Sequence, residues 1–185
     1  MAPAALMGLV YGLSEAGISL LKRSRNANAA RDGGSLRRLW LAIVGSLVLA
    51  NLAVVYVPQA SYPLSESLLA IGIAIYAAGL LLRWTAILWL GRFFTVNVAI
   101  VADHRVIDTG PYRYMRHPSY TGALTAFLGL ALCTGNALAV LVMMVPVTWA
   151  FMQRIRLEEA VLRDALGESY IAYSKRTKRL IPFVY

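Results

Sequence analysis

The segment from Gly110 to Gly122 contains the residues of this chain best suited to binding a charged ligand. It reads Gly-Pro-Tyr-Arg-Tyr-Met-Arg-His-Pro-Ser-Tyr-Thr-Gly and lies between two long apolar segments. Proline suits the first turn of a helix, and the exposed amides beside it favour an anion. Arg116, His117 and Pro118 therefore indicate a site for a carboxylate-bearing ligand. The simpler alternative is that Arg116 anchors to lipid headgroups and His117 caps the helix.

A second charged cluster, Arg156-Leu-Glu-Glu159, follows the last long apolar run. Ionisable groups so close to the hydrocarbon boundary are costly, and they are usually paired or functional. Arg156 and Glu159 are three residues apart and share a helix face. An arginine there can hold a carboxylate in its ionised form, and a glutamate can accept hydrogen bonds from ribose hydroxyls. The alternative is an ordinary surface salt bridge.

The composition predicts an all-α, polytopic integral membrane protein with about five transmembrane helices. Apolar residues make up 59% of the 185 residues, and the mean hydropathy is +0.62. Runs of about 18 or more apolar residues are typical of membrane spans. The expected spans are 4–21, 39–57, 66–90, 119–133 and 137–151. A tight turn at 134–136 joins the last two as an antiparallel hairpin, so the two charged clusters are expected to meet on one side of the membrane.

The basic residues predict the orientation of these spans. Six lie in 22–38, four in 91–118 and seven in 152–185, and the eighteenth is Arg83. Because cytoplasmic loops carry an excess of lysine and arginine, we expect the N-terminus outside and the C-terminus inside. This topology does not account for four arginines that crowd the ends of the hairpin: Arg113, Arg116, Arg154 and Arg156. The compact chain and the lack of an organellar signal favour a prokaryotic inner membrane.

The segment after the last span, 152–185, is expected to be mostly helical and to form a cytoplasmic lid. Its apolar residues recur at helical spacing as far as Leu166, and Gly167 suits a helix end. A second short helix from Glu168 to about Lys175 would carry Tyr170 and Tyr173 at the bilayer surface. We expect these two helices to fold back under the membrane and to cover the site.

The composition also makes several other kinds of site improbable. The single cysteine, Cys133, provides neither a disulfide framework nor a cysteine metal site, and the spacing of His104 and His117 does not fit zinc. No Gly-x-Gly-x-x-Gly follows a strand, which argues against a Rossmann domain. The net charge of +9 marks the cytoplasmic face of a membrane protein better than it marks a nucleic-acid surface.

Taken together, the motifs resemble the isoprenylcysteine carboxyl methyltransferase family and its relatives among the phospholipid methyltransferases. The shared pattern runs Gly110-Pro-Tyr-Arg-Tyr, Arg116-His-Pro-Ser-Tyr-Thr-Gly122, Arg156-x-Glu-Glu159, Leu162, Gly167, Tyr170, Tyr173 and Arg179-Leu-Ile-Pro182. The resemblance covers roughly residues 80–185, which would form the methyltransferase core. Residues 1–79 would supply the N-terminal transmembrane helices.

The resemblance implies S-adenosyl-L-methionine as methyl donor, a lipophilic or prenylated acceptor in the membrane, and no nucleic acid or metal. The residues expected to bind the cofactor are Tyr112, His117, Pro118, Tyr120, Glu159, Tyr170 and Tyr173. The residues expected to be catalytic are Arg116, Arg156 and Glu159. Among these, Arg156 would contact the carboxylate of the acceptor.

More than one reaction fits these residues. A carboxylate acceptor is already ionised at neutral pH and needs no base, and alignment of the reactants alone supplies roughly 7–11 kcal/mol. An amine acceptor such as ethanolamine would need a base, for which Glu158 or Glu159 could serve. A membrane reductase that binds NADPH is another alternative, and so is a non-enzymatic protein whose arginines only set topology.

Overall fold

The computed structural model describes residues 2–22 and 33–184, and within these ranges the protein is built from helices. The six α-helices of the described residues are α1 (Ala2–Lys22), α2 (Ser35–Tyr56), α3 (Glu66–Leu90), α4 (Pro118–Leu132), α5 (Ala137–Leu166) and α6 (Glu168–Arg176). Short 3₁₀ turns occur in the connections, and no strand forms in the described ranges. The expected all-α class is confirmed. Three basic residues of the 22–38 cluster, Arg23, Arg25 and Arg31, lie outside the described residues.

Four helices of the described residues are long and apolar enough to cross a membrane, namely α1, α2, α3 and α5. They are the helices of an integral membrane protein. The predicted limits 66–90 match α3. Helix α1 extends past both limits of its predicted span, whereas α2 begins four residues before residue 39 and ends one residue before residue 57. The fourth predicted span corresponds to α4, which has only 15 residues. At about 1.5 Å per residue it is about 22 Å long, less than the roughly 30 Å of hydrocarbon, so a fifth crossing stays a prediction.

Helix α5 runs without a break through the predicted boundary at residues 151 and 152. It continues for 30 residues, with Pro146 inside it, and ends at Gly167, whose N–H donates to the Arg163 carbonyl. The expectation of a separate first lid helix is therefore wrong, because no residue between Val147 and Leu166 breaks the helix. Gly167 adopts a positive φ of 53°, which glycine tolerates best, and only α6 turns back.

Helices α3 and α4 touch backbone to backbone through glycines. A Cβ added at Gly79 would lie 2.3 Å from the Ala126 nitrogen, and one added at Gly129 would lie 2.4 Å from the Tyr76 nitrogen. Small residues allow this close approach in membrane helices, where van der Waals packing drives association. The glycine contacts fix the start of α4, and thus the Gly110–Gly122 motif, against α3.

The two ends of the helix bundle are built differently. At one end the predicted turn at 134–136 is confirmed, and the Asn136 side chain accepts from the Ala139 N–H and donates to the Val57 carbonyl. At the other end, Lys22 Nζ donates to the Gly91 carbonyl at 2.9 Å. This second end also gathers the start of α4, the end of α5 and α6. The basic segments of the described chain therefore lie together at one end of the bundle. This is the arrangement expected from the hairpin of α4 and α5.

Candidate active site

A chamber open to solvent lies at the basic end of the bundle, and its empty space, including the part that is open to solvent, is about 820 Å³. Its walls come from the end of α3, the 93–107 loop, the start of α4, α5 and α6. One face of α5 runs along it, through Arg154, Glu158, Val161, Leu162 and Leu166. The first and the last of these residues are twelve positions apart, which corresponds to about 18 Å at about 1.5 Å per residue. The chamber is thus charged at its inner end and apolar at its outer end.

Arg154, Tyr120 and Glu158 are bonded in series at the inner end. The Tyr120 hydroxyl donates to Glu158 Oε2 at 2.6 Å, and Arg154 Nε donates to the Tyr120 oxygen at 3.1 Å. Arg154 is only 3% exposed, and it also donates to Ser35 Oγ and to the Val96 carbonyl. The Arg154 guanidinium, the Tyr120 hydroxyl and the Glu158 carboxylate therefore lie together at the inner end of the chamber.

Glu159 lies behind the chamber wall and is 1% exposed. Its Oε1 accepts from Arg116 Nε at 2.8 Å and lies 3.4 Å from His117 Nε2. Its Oε2 accepts from Arg179 Nη2 at 2.9 Å and from Arg163 Nη2 at 3.2 Å. Glu159 does not line the chamber, although Arg116 and His117 do. In this arrangement Glu159 holds two chamber residues in place, and a direct part in catalysis or cofactor binding stays a prediction.

Residues 177–180 form a segment, here called the C-terminal strap, that lies along the start of α4. The Arg116 N–H donates to the Lys178 carbonyl at 2.8 Å, and the His117 N–H donates to the Arg179 carbonyl at 3.0 Å. Thr121 Oγ1 donates to the Leu180 carbonyl at 2.8 Å. The Arg179-Leu-Ile-Pro182 motif therefore includes part of a support for the Arg116-His117 pair.

The start of α4 differs in detail from the anion site expected there. His117 precedes the helix without a side-chain cap, and its ring stacks on Tyr120 at 5.5 Å between centroids. The Tyr120 N–H donates to the His117 carbonyl at 3.0 Å. Pro118 is buried in the first turn and does not line the chamber. The chamber thus presents the His117 and Tyr120 rings, and binding by Pro118 stays a prediction.

Three of the expected tyrosines line the chamber together. The Tyr112 hydroxyl donates to the Ala86 carbonyl, and the Tyr173 hydroxyl donates to the Tyr112 carbonyl at 2.7 Å. Tyr170 is 3% exposed, and its hydroxyl has no partner. Burial raises the pKa of Tyr112, Tyr170 and Tyr173 above the ordinary value, so all three are neutral at physiological pH. Tyr170 therefore presents an unused hydroxyl to the chamber.

His104 also lines the chamber and was not among the expected site residues. Its ring packs on Phe93, with the centroids 5.3 Å apart, and its Nδ1 is buried without a partner. Burial lowers the pKa of His104, and Glu158 acts in the opposite direction. Within 2–22 and 33–184, Tyr170 Oη and His104 Nδ1 are the buried side-chain N or O atoms without a partner. Since such atoms are rarely left unpaired, both are available to bond to a polar ligand or to water in the chamber.

Arg156 and Arg154 lie on opposite sides of α5. Arg156 is exposed on the outer face of the helix, beside Trp149, and does not line the chamber. Two residues correspond to about 200° around a helix, so the expected arginine lies outside while Arg154 lies inside. The same geometry brings Glu158, and not the expected Glu159, to the chamber. Glu158 is four residues from Arg154 and therefore shares its face of α5. The motifs alone do not assign Arg154 or Glu158 to the site.

A second chamber of about 470 Å³ adjoins the first between the membrane helices. Its apolar walls include Ile18 of α1, Leu39 and Ile43 of α2, and Phe151 of α5. Its lining residues shared with the first chamber are Phe94, Thr95, Tyr120 and Arg154. The two chambers therefore meet at Tyr120 and Arg154. Among the described residues, no cluster of side chains able to bind a metal is present.

Comparisons with known proteins agree on one family. The sequence model of the isoprenylcysteine carboxyl methyltransferase (ICMT) family matches residues 70–164. The match begins inside α3, and the division of the chain between residues 79 and 80 stays a prediction.

Protein-S-isoprenylcysteine O-methyltransferase B of Arabidopsis thaliana is 35% identical over 115 residues, which cover 61% of this chain and 58% of that protein. The protein-S-isoprenylcysteine O-methyltransferase of Schizosaccharomyces pombe is 36% identical over 108 residues, covering 57% and 46%. A solved structure, described as the eukaryotic intramembrane Ras methyltransferase ICMT, is similar with a TM-score of 0.65 and 29% identity, over 78% of this chain and 52% of that one. The chain thus spans about half the length of the relatives it matches.

Proposed function

Because the chain belongs to the isoprenylcysteine carboxyl methyltransferase family, we propose that it methylates the carboxylate of a prenylated cysteine or a similar lipophilic acceptor. The methyl donor in this proposal is S-adenosylmethionine. The observation that carries the proposal is the meeting of two chambers at Tyr120 and Arg154, one open to solvent and one between membrane helices. A water-soluble donor and a lipid-tailed acceptor can then reach one point from different phases.

The first chamber fits S-adenosylmethionine, which joins a flat nucleoside to a charged amino acid. Leu162 and Leu166 offer an apolar surface to the nucleoside at the outer end. Tyr170 Oη and His104 Nδ1 are buried polar atoms in the lining of the same chamber that lack partners. At the inner end, the Glu158 carboxylate supplies the negative charge that a cationic sulfonium favours. When bound, the cofactor supplies an electrophilic methyl group together with its own leaving group.

Arg154 is the residue we propose to orient the acceptor carboxylate. It is buried, and its Nε–H is held by Tyr120 at the junction of the chambers. In such a water-poor place an arginine keeps a carboxylate ionised, because the guanidinium remains charged at any physiological pH. A carboxylate oxygen has no proton to lose, so no base is required. The task of these residues is alignment, which contributes roughly 7–11 kcal/mol in well-oriented reactions.

The position of Glu158 supports a second candidate, an N-methyltransferase acting on a phospholipid or another amine. Its carboxylate lines the chamber beside Tyr120 and is 30% exposed. It could accept the proton that a protonated amine must lose before it reacts. The two candidates differ in their products, because a methyl ester releases methanol in mild base whereas an N-methyl group survives.

We also propose that the chambered end of the bundle faces the cytoplasm. The basic segments of the described chain gather at that end, and the 134–136 turn at the opposite end contains neither lysine nor arginine. The positive-inside rule favours this orientation. A prokaryotic host membrane remains a prediction, because the relatives compared above are eukaryotic.

Two measurements on the detergent-purified protein test the proposal. Calorimetric titration with S-adenosylhomocysteine should give saturable binding, and NADPH should not. Incubation with methyl-labelled S-adenosylmethionine and an N-acylated S-prenylcysteine should then give label that mild base releases as methanol. The same acceptor with its carboxyl group amidated is the control and should remain unlabelled. Base-stable label on a phospholipid or amine would select the second candidate, and a folded protein that binds neither ligand would contradict both.

A further inference from the structure

A buried ion pair joins α1 to α3 inside the apolar part of the bundle. Arg83 Nε lies 2.5 Å from Glu15 Oε1, and Arg83 Nη2 lies 2.7 Å from Glu15 Oε2. The exposed fractions are 6% for Arg83 and 8% for Glu15. Each residue is seven positions from the end of its helix, about 10 Å inward at about 1.5 Å per residue. The two charged groups that interrupt the predicted spans are therefore paired with each other.

Stability alone is a weak reason for such a pair. Taking two charges out of water costs several kcal/mol per ion, and well-packed apolar residues often replace buried ion pairs without loss. Ionisable groups inside membrane helices are accordingly a sign of function. Glu15 also lies in α1, which is outside the matched residues 70–164 of the family. The pair thus joins a helix outside that match to Arg83 in α3, which lies inside it.

A third contact connects the ion pair to the candidate active site. Arg83 Nη1 donates to the Ser119 carbonyl at 3.1 Å. Ser119 lies in the first turn of α4, immediately before Tyr120, and lines the first chamber. Glu15 and Arg83 themselves line the second chamber, together with Tyr120 and Arg154. The pair therefore lines the second chamber, which is the one proposed for the acceptor. Through Arg83 it also donates one hydrogen bond to the turn that carries Tyr120.

We infer that Glu15 and Arg83 are positioning residues for methyl transfer, which makes α1 part of the working site. Glu15 fixes the Arg83 guanidinium, and Arg83 fixes the first turn of α4 and thereby the Tyr120 hydroxyl where the chambers meet. The inference rests on the proposed function. Loss of the pair should impair reaction of the acceptor more than binding of the cofactor, because the cofactor chamber is built mainly by other residues.

A neighbouring contact offers a matched control. Trp84 Nε1 donates to Ser14 Oγ at 2.8 Å, so the residues adjacent to Arg83 and Glu15 also join α3 to α1. Neither Ser14 nor Trp84 lines either chamber. Ser14→Ala therefore loosens the same pair of helices without touching the site.

The test compares Glu15→Gln with Ser14→Ala in the purified full chain. Glu15→Gln should lower kcat/KM for the prenylcysteine acceptor by about tenfold or more, because small misplacements near the reacting groups are that costly. Its Kd for S-adenosylhomocysteine should stay close to that of the unchanged protein. Ser14→Ala should leave both quantities unchanged. Equal kinetic losses in the two variants would overturn the inference, since a loosened helix contact would explain them.

A double variant, Glu15→Gln with Arg83→Gln, keeps the test decisive if the single variant folds poorly. It leaves no unpaired charge in the bundle, so it should be more stable than Glu15→Gln. It should still react slowly, because the hold on Ser119 is lost. Full recovery of kcat/KM in the double variant would overturn the inference. Failure of the unchanged protein to methylate any acceptor would instead contradict the proposed function, so the two failures are distinguishable.

Discussion

The adjacent residues Glu158 and Glu159 should respond to mutation in opposite ways. Glu159 is buried and bonded to three arginines, whereas Glu158 lines the chamber and accepts one hydrogen bond, from Tyr120. We expect Glu159→Ala to reduce stability strongly. We expect Glu158→Ala to leave a stable protein that binds S-adenosylmethionine, with its cationic sulfonium, weakly and transfers methyl groups slowly.

The structure sets the size of both effects. Glu159→Ala removes the common partner of three arginines, of which Arg116 is the least exposed. Breaking a buried ion pair from one side costs about 3–5 kcal/mol. In a protein of this size each kcal/mol shifts Tm by about 2–4 °C. The expected fall in Tm for Glu159→Ala is therefore about 6–20 °C. Glu158→Ala removes one hydrogen bond to a side chain that is 30% exposed, so about 1 kcal/mol and a few degrees are expected.

Thermal unfolding followed by tryptophan fluorescence gives the Tm of each variant, and calorimetry well below that temperature, without acceptor, gives the Kd for S-adenosylmethionine. Glu168→Ala is the matched control, because Glu168 is an exposed glutamate in the first turn of α6. It should change neither quantity. An unchanged Tm in Glu159→Ala would refute the structural role of this carboxylate. A larger Tm loss in Glu158→Ala than in Glu159→Ala would refute the placement of Glu158 in the chamber and of Glu159 behind its wall.

Three further outcomes are expected. Arg154→Lys should lose most of the methyl transfer, because lysine lacks the planar fork of arginine. Arg156→Lys should transfer methyl groups normally. The reverse result in a turnover assay would favour Arg156 as the residue that binds the acceptor. Gly79→Ala should lower the free energy of unfolding by about 1–3 kcal/mol, because the added methyl group overpacks the contact with α4. Gly45→Ala on α2 should not, because a Cβ there meets nothing within 4 Å. Equal Tm values for the two variants would contradict the close contact between α3 and α4. The lowered pKa of His104 means that the unfolded chain binds this proton more readily, so the stability that His104 contributes is present above about pH 6.5 and is lost as pH falls below it. The slope of Tm against pH between about pH 6.5 and 5 should then be shallower in His104→Ala, and an identical slope would show that His104 does not titrate there.

Hydropathy predicted the spans well because each long helix faces lipid over much of its surface. The limits 66–90 for α3 needed only an apolar run between Ser65 and Gly91. The same reasoning cut α5 at residue 151, since the helix leaves the apolar region there without ending. Hydropathy therefore located the apolar segment but not the end of α5, which Gly167 sets.

The exposure of Arg156 and the burial of Arg154 show a limit of reasoning from motifs. Spacing placed Arg156 and Glu159 on a shared face but did not say which face of α5 turns inward. Burial follows Val147, Ala150, Phe151, Arg154 and Ile155, a stripe at helical spacing. Extending this stripe past residue 151 at helical spacing places Arg154 on the inward face of α5.

Two other features had no comparable local signal. The pairing of the C-terminal strap with Arg116 and His117 joins residues about sixty positions apart through backbone groups, which every residue type carries. The role of His104 depends on the fold of the 93–107 loop over the chamber. Such contacts follow from tertiary packing and not from side-chain pattern.

The C-terminal strap also implies an order of assembly during synthesis. Residues 177–180 leave the ribosome after all six described helices, and proteins made in this direction fold N-terminal parts first. The helices can therefore insert and pack before Arg179 reaches Glu159 and before the strap carbonyls bind the Arg116 and His117 amides. A nascent chain would complete its membrane bundle while the first chamber is still unsupported, and the proposed methyl transfer would begin only after the strap docks.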